Sequence, residues 1–301
     1  MAYRNIIISN PAKLSSKLNQ LVIKNDEIED IIPIEDIDIL LLESRQINIS
    51  TALLSELSIN GVAVFICDKY HMPCGIITPY LQHSRHHEVV QKQLNLTLPT
   101  KKRLWQQIVK AKINNQAKCL QLCEEEDVAN ELYSIAKNVK AGDSEYAEGY
   151  TAAKYFKALF GNGMIRGNKD DMRNAWLNYG YAIIRGLVAR SLTVYGFLPL
   201  IGIHHHSSLN QFNLVDDIME PFRPIIDLYV AKNAEEDSEL SPEIKRELTN
   251  LVNYDIIIAE KKYTISYAIE LTVKSFSSLL MDKRKDLLLP ELIQLEKHKY
   301  M

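Results

Sequence analysis

The sequence predicts an α+β protein of two domains, a β-sandwich-like N-terminal domain over residues 1–79 and a predominantly α-helical domain over residues 80–301. Three observations carry this expectation. The first eighty residues hold short runs rich in Ile, Leu and Val, separated by turn or polar residues, which is how strands read. From Tyr80 onward the apolar residues recur at three- and four-residue intervals over long stretches, as amphipathic helices require. No internal repeat or low-complexity linker lies between the two parts, so they are expected to join tightly through residues 80–85.

In the N-terminal part, residues 5–9, 20–24, 28–32, 37–42 and 62–67 are expected strands. Ile34, Ile37, Ile39 and Leu41 partly alternate with Glu35, Asp36, Asp38 and Leu40, the pattern of a strand entering a core. Between the last two strands, residues 50–60 read as a helix with Leu53, Leu54 and Leu57 on one face and Asn60-Gly61 as its stop. Residues 75–78 make a final short strand, and Pro79 marks the exit.

The helical part opens with residues 83–96, which carry Arg85, His86 and His87 on a polar side. A long helix follows over residues 99–123, with Leu104, Ile108, Ala111, Ile113, Ala117 and Leu120 at helical spacing. Lys101, Lys102 and Arg103, then Lys110 and Lys112, make its polar side basic, either as a solvated surface or as a phosphate-contacting one. Residues 124–140 continue as an amphipathic helix. Residues 143–160 form the next, opened by Asp143-Ser144 as capping residues. It contains Glu148-Gly149, and a glycine inside a helix costs about 1 kcal/mol relative to alanine. Gly149 therefore implies close packing against another backbone or a need for space beside Glu148. Residues 170–194 are apolar on more than one side and read as a central buried helix, with Arg166, Arg173, Arg185 and Arg190 emerging at intervals. A helix from Leu214 to about Lys232, one opened by Ser241-Pro242, a hairpin of residues 256–258 and 263–265, a helix over 266–280 and a tail over 287–301 complete the chain.

At 301 residues and 47% hydrophobic composition there is ample material for two cores. The formal net charge is -3, so nucleic-acid binding has to come from local basic patches. The N-terminus lacks a signal-peptide pattern, and no apolar run reaches the ~20 residues of a membrane span. A cytoplasmic protein without a membrane partner is expected. The four cysteines fit that compartment. Cys67 and Cys74 bracket His71, but no CxxC pair is present, so buried thiols are expected rather than a zinc site.

The chemistry concentrates in Gly202–Asp227, where His204, His205 and His206 precede Asp216, Asp217, Glu220 and Arg223. Asp217 and Glu220 stand three apart and project from one helix face. Carboxylates with an imidazole suit Mg²⁺ or Mn²⁺, and Arg223 one turn further suits a phosphate. The same acids also suit a solvated helix start near the positive end of its dipole. Other sites are excluded by reading. There is no His-Asp dipeptide and no Glu-x-x-His. His87-Glu88-Val-Val-Gln91 misses the zincin motif by its last residue, and neither a P-loop nor a Gly-x-Ser-x-Gly elbow occurs.

Taken together, Ala147-Glu148-Gly149, Gly202-Ile-His204-His205 and Leu214-Val-Asp216-Asp217-Ile-Met-Glu220-Pro-Phe-Arg-Pro-Ile-Ile-Asp227 resemble the universal integrase of CRISPR adaptation, the CRISPR-associated endonuclease that inserts new spacers. Asn-Gln-Phe-Asn-Leu at 210–214 looks like its type II branch. The resemblance covers essentially the whole chain, and its final block is the most specific part. It implies a metal site of Glu148, His205 and Glu220 for Mg²⁺ or Mn²⁺, with His204 or His206 as alternatives to His205. Asp217 is implied either as a further ligand or as a partner that orients the ligands. Arg166, Arg173, Arg223 and the Lys101, Lys102, Arg103 run are expected to contact DNA phosphates, with Arg223 pairing Asp227 as its alternative role.

The resemblance further implies a homodimer built by the β-rich domain. Two such dimers would flank a dimer of a small ferredoxin-like adaptation subunit, acting on prespacer and CRISPR leader-repeat DNA. Type II effector components join the candidate partners. Two competing readings use the same residues, a stand-alone metal-dependent nuclease in repair and a DNA-binding scaffold with structural acids.

Overall fold

The computed structural model describes residues 3–25, 29–79, 83–168 and 170–299. The chain forms two compact units, Met1–Ser84 and Arg85–Met301. The expected strand start at Ile28, the junction residues 80–82 and the last two residues of the expected tail lie outside the described residues.

In the first unit, β1 (Arg4–Ile8), β5 (Ile37–Leu42), β7 (Ala63–Cys67) and β8 (Pro73–Ile77) form one four-stranded sheet, ordered β1-β5-β7-β8. The first three run parallel and β8 is antiparallel. A second sheet, β4-β3-β2-β6, is built from β2 (Ala12–Lys17), β3 (Gln20–Lys24), β4 (Glu29–Pro33) and β6 (Ile47–Ile49). All six residues of β5 are buried, as a central parallel strand requires. Leu14 and Leu21 of one sheet meet Ile8, Leu40 and Val64 of the other in a single core, closed by Leu53 and Leu57 of α1 (Thr51–Ile59). Strands β2 and β6 escape the sequence reading because neither is an apolar run. Lys13, Ser15, Ser16 and Lys17 dominate the first, and the second is three residues long.

The helical unit contains α2 (His86–Leu94), α3 (Leu98–Leu122), α4 (Glu126–Asn138), α5 (Ala147–Phe160) and α6 (Arg173–Val194). After these come α7 (Asn213–Met219), α8 (Arg223–Asn233), α9 (Pro242–Asn250), the hairpin β9 (Asp255–Ile258) and β10 (Lys261–Thr264), and α10 (Ile265–Leu280). Helix α3 packs along α4, α5 and α8, while α6 packs against α7, α8, α9 and α10. Gly180 allows the close approach of α6 to α8, since a Cβ there would lie 2.5 Å from Ile226 Cγ2.

The expected single helix from Leu214 is divided. Pro221 has no N–H to continue the ladder, and Glu220–Phe222 turns as a 3₁₀ segment between α7 and α8. The helix expected from Asp143 begins at Ala147, yet Asp143 is its cap. Its carboxylate accepts the N–H groups of Ala147 (2.9 Å) and Glu148 (3.1 Å). The tail is pinned to the unit by bridges Tyr254–Lys297 and Ile257–Glu291 and by His298 Nδ1 at 2.6 Å from Asp255. All four cysteines are free thiols. No described helix is long and apolar enough to cross a membrane.

Candidate active site

Lys112 is the residue around which the site assembles. It falls four residues after Ile108 and four before Gln116, on the buried stripe of α3, and is only 7% exposed. This corrects the expectation that it belongs to a basic polar face. Its ammonium pairs with Glu148 Oε1 and lies 2.5 Å from Glu220 Oε2. Burial opposes the charged ammonium, but Glu220 and Glu148 outweigh it and raise its pKa.

Glu148 sits in the first turn of α5, set there by the Asp143 cap. A Cβ at Gly149 would meet nothing within 4 Å. Close backbone packing is therefore not the reason for this glycine, and no crowding that would call for space beside Glu148 is found there either. Glu220 is buried at the start of the 3₁₀ turn, and Arg223 Nε donates to its Oε1 at 3.0 Å. Burial alone would raise this carboxyl, yet Lys112 and Arg223 hold it at about 2. Its Oε2 is buried against the Lys112 ammonium and takes no hydrogen bond from any other group.

The three histidines lie in the irregular loop between α6 and α7. Gly202 permits that loop, because a Cβ there would fall 2.2 Å from the His205 carbonyl oxygen and 2.9 Å from Asp217 Oδ2. Asp217, wholly buried, organises it. Its oxygens accept the N–H groups of Ile203 (2.6 Å), His204 (3.0 Å) and His205 (3.1 Å), and the Nδ1–H of His205 at 2.7 Å. These four donors engage both oxygens and leave the His205 Nε2 as the ring nitrogen without that commitment. The Asp217 hydrogen bond raises the His205 pKa. His204 instead stacks on Trp105 of α3, with centroids 4.2 Å apart, and burial lowers its pKa. His206 Nδ1 lies 2.9 Å from the His204 carbonyl oxygen. From α2, the Gln93 amide donates to the carbonyls of Leu198 and Ile201 at 3.0 and 2.8 Å, bracing the loop.

The structure separates the residues expected at DNA. Arg223 is within the cluster, bonded to Glu220 and lying over Tyr181 rather than bonded to Asp227. Arg166 lines a cavity of about 170 Å³ with Lys112, Glu220, Arg223 and Asp227, and donates to Asn174 and Asn178. Arg173 is committed elsewhere, to both Asp171 oxygens (2.9 and 2.7 Å) and the Phe160 carbonyl. Lys101, Lys102 and Arg103 occupy the first turns of α3, with Lys102 and Arg103 exposed. At 1.5 Å per residue they stand about 15 Å along the helix from Lys112.

Sequence reasoning missed Lys112 as a partner of both glutamates, although a lysine on an otherwise buried stripe is a signal that spacing carries. It also missed the Tyr155 and Tyr181 hydroxyls that donate to Asp227, whose burial raises its carboxyl to about 6 against those hydrogen bonds.

As they stand, no three His, Cys, Asp or Glu side chains among the described residues converge closely enough to hold a metal ion. The donor chemistry nevertheless fits a hard divalent cation. Two carboxylates already share a cation, Glu220 Oε2 is buried with no hydrogen bond from any group but that cation, and an oriented imidazole lies close enough for Glu220 to raise its pKa.

Fold and site together define a two-unit α+β protein whose helical unit encloses a carboxylate–lysine–histidine centre. Residues 6–238 match the family model described as CRISPR associated protein Cas1, and the chain belongs to that family. It is 40% identical over the full length of both chains to the CRISPR-associated endonuclease Cas1 of Neisseria meningitidis serogroup C. Among solved structures, a casposase bound to integration product matches with TM-score 0.77 and 20% identity, over 95% of this chain and 92% of the other. A Cas6-RT-Cas1–Cas2 complex matches with TM-score 0.72 and 17% identity, over 97% of this chain and 36% of that one.

Proposed function

We propose that this chain is a metal-dependent DNA integrase and endonuclease of CRISPR adaptation, of the type II branch, which joins prespacer 3′-hydroxyl ends to the CRISPR repeat by transesterification. The observation that carries the reading is the pairing of Glu148 and Glu220 across Lys112, beside an imidazole held by a buried carboxylate. Family membership and the casposase fold support it.

Glu148, His205 and Glu220 are the candidate ligands for Mg²⁺ or Mn²⁺. Such an ion, when bound, supplies Lewis acidity toward a phosphodiester and an attacking hydroxyl. Asp217 acts through His205, fixing the ring so that Nε2 is presented, which is the usual task of a carboxylate behind a metal-binding histidine. Glu220 stays ionised through neutral pH because Lys112 and Arg223 hold its pKa low. Arg223 and Arg166, at the cavity beside Glu220, are placed to meet a phosphate. Lys102 and Arg103 extend a basic strip along α3, and Arg173 serves chiefly to tie Asp171.

DNA is the substrate, with the first unit building a homodimer and a small ferredoxin-like subunit bridging two dimers. The Cas1–Cas2 assembly that contains a similar fold supports that partnership. Type II effector components are further candidate partners.

A strand-transfer assay tests the reading, using the full chain, repeat-containing DNA and Mn²⁺, with and without the small subunit. Wild type is expected to integrate, while Glu148→Ala and Glu220→Gln each lose on the order of 100-fold or more. Normal joining by either variant overturns the assignment. Cleavage without joining points to a stand-alone nuclease, and binding without chemistry to a scaffold.

A further inference from the structure

Two carboxylates and two cations meet at the centre of the site. Glu148 and Glu220 are matched by Lys112 and Arg223, so this cluster is balanced before any added ion. A divalent cation approaching it meets no excess negative charge from these four groups, and it meets an ammonium already between the oxygens it would use. Lys112 reaches that place from the interior of α3, through a stem buried among core residues. Lys112 also lines the cavity of about 170 Å³ whose other walls include Gln116, Arg166, Arg223 and the carboxyl-bearing Asp227, which gives the ammonium somewhere to go. Lysine suits such an exchange, being a compact charge on a flexible four-carbon stem, where arginine's planar fork would lock both carboxylates.

We propose that Lys112 is an internal counter-ion that holds Glu148 and Glu220 in place in the metal-free protein and competes with the divalent cation for them. The inference rests on the metal reading above. It makes Lys112 a positioning residue that sets how readily the site loads, with metal binding requiring the ammonium to turn from one or both carboxylates toward the neighbouring cavity.

Calorimetric titration of metal-stripped full-length protein with MnCl₂, paired with thermal melts with and without Mn²⁺, tests this. In Lys112→Met the competitor is gone, Glu148 loses that counter-charge and Glu220 keeps only Arg223. Mn²⁺ affinity is expected to tighten by roughly tenfold or more. The metal-free melting temperature is expected to fall by on the order of 10 °C, and saturating Mn²⁺ to restore most of it. Lys112→Arg, which keeps the charge and whose fork holds both carboxylates, should bind Mn²⁺ no tighter than wild type. A lysine with a merely structural role would lower stability without tightening Mn²⁺ binding.

If Lys112→Met fails to fold without metal, refolding in Mn²⁺ is expected to recover it. A variant that stays unfolded in saturating Mn²⁺, or folds and binds Mn²⁺ no tighter than wild type, overturns the proposal. No Mn²⁺ binding by wild type or either variant overturns the metal reading itself, a result distinct from unchanged affinity.

Discussion

Strand β5 of the first unit buries six residues in a row, five aliphatic and one carboxylate, Asp38. Helix α3 of the second unit buries Lys112, Asn115 and Gln116 in the same stretch as Ile108, Ile113 and Cys119. The contrast runs through both units. Among the described residues, the buried charged groups of the first unit are Asp38 and Glu43, whereas the second buries Lys112, Asp143, Asp171, Asp217, Glu220, Asp227 and Lys245. Apolar burial stabilises without needing partners, but each buried charge needs a counter-charge or a hydrogen-bond donor to be tolerated. Both units have a packed apolar core, and the second also carries a set of buried charges that an uncharged core would not need. That difference locates the chemistry, because such charges persist where burial alone argues against them.

The comparison breaks first at the aliphatic core. Leu40→Ala, at a position with no exposure in the shared core of the two sheets, is expected to destabilise the first unit by about 2–5 kcal/mol. Denaturant unfolding followed by far-UV circular dichroism together with the fluorescence of Trp105 and Trp176, both in the helical unit, should then separate the two melts. Coincident unfolding at an unchanged midpoint would refute the packing account of the first unit.

Asp217→Asn is the matching change in the second unit. One amide oxygen replaces two carboxylate oxygens that accept four hydrogen bonds, so a loss of about 1–3 kcal/mol is expected. The imidazole is misoriented at the same time, and activity should drop roughly 10–100-fold. A stability loss with undiminished strand transfer would reduce Asp217 to a loop staple.

The smallest effect expected is at Asp227, and it depends on pH. Its carboxyl is raised to about 6 from an ordinary 3.8, chiefly by burial, while the Tyr181 and Tyr155 hydroxyls oppose the rise. Because the folded value lies above the unfolded one, ionisation of this group disfavours the folded state. Its contribution is fully present below the unfolded value and is lost as pH rises through about 6. Tyr155→Phe removes a donor to the ionised form. It should cost about 1 kcal/mol above that window and less in acid, where the carboxyl is protonated in both proteins. Equal losses at pH 5 and pH 8, read from urea midpoints, would show that the Tyr155 hydroxyl does not sense the charge.

Much of the fold was legible in the sequence because periodicity reports burial. The parallel strands, α1, α3 and α6 all announce themselves as apolar runs or stripes. Strand β2 did not, since Lys13, Ser15, Ser16 and Lys17 are held by neighbours rather than by their own hydrophobicity. The break after Met219 was visible as Pro221 and Pro224 but was read through, because the apolar spacing continues across it. At the site, Glu148, His205, Asp217 and Glu220 were found through motif resemblance, and spacing alone left them ambiguous. Lys112 was assigned to the solvent side with Lys110, because a lysine's burial depends on carboxylates 36 and 108 residues away in the chain. Arg173 looked like a phosphate ligand for the complementary reason, that its partner Asp171 lies two residues back in a turn with no regular period.

Asn115, one turn beyond Lys112 on α3, gives the site a dependence on the order of synthesis. Its amide donates to the carbonyl of Pro221, directly after Glu220, and to that of Pro290, while its oxygen accepts the N–H of Leu292. The backbone beside Glu220 is thus tied to a segment that leaves the ribosome well after it. A nascent chain carries both glutamates and Lys112 before it has Pro290 and Leu292, so the Asn115 contacts that join Pro221 to this segment are among the last the site can make.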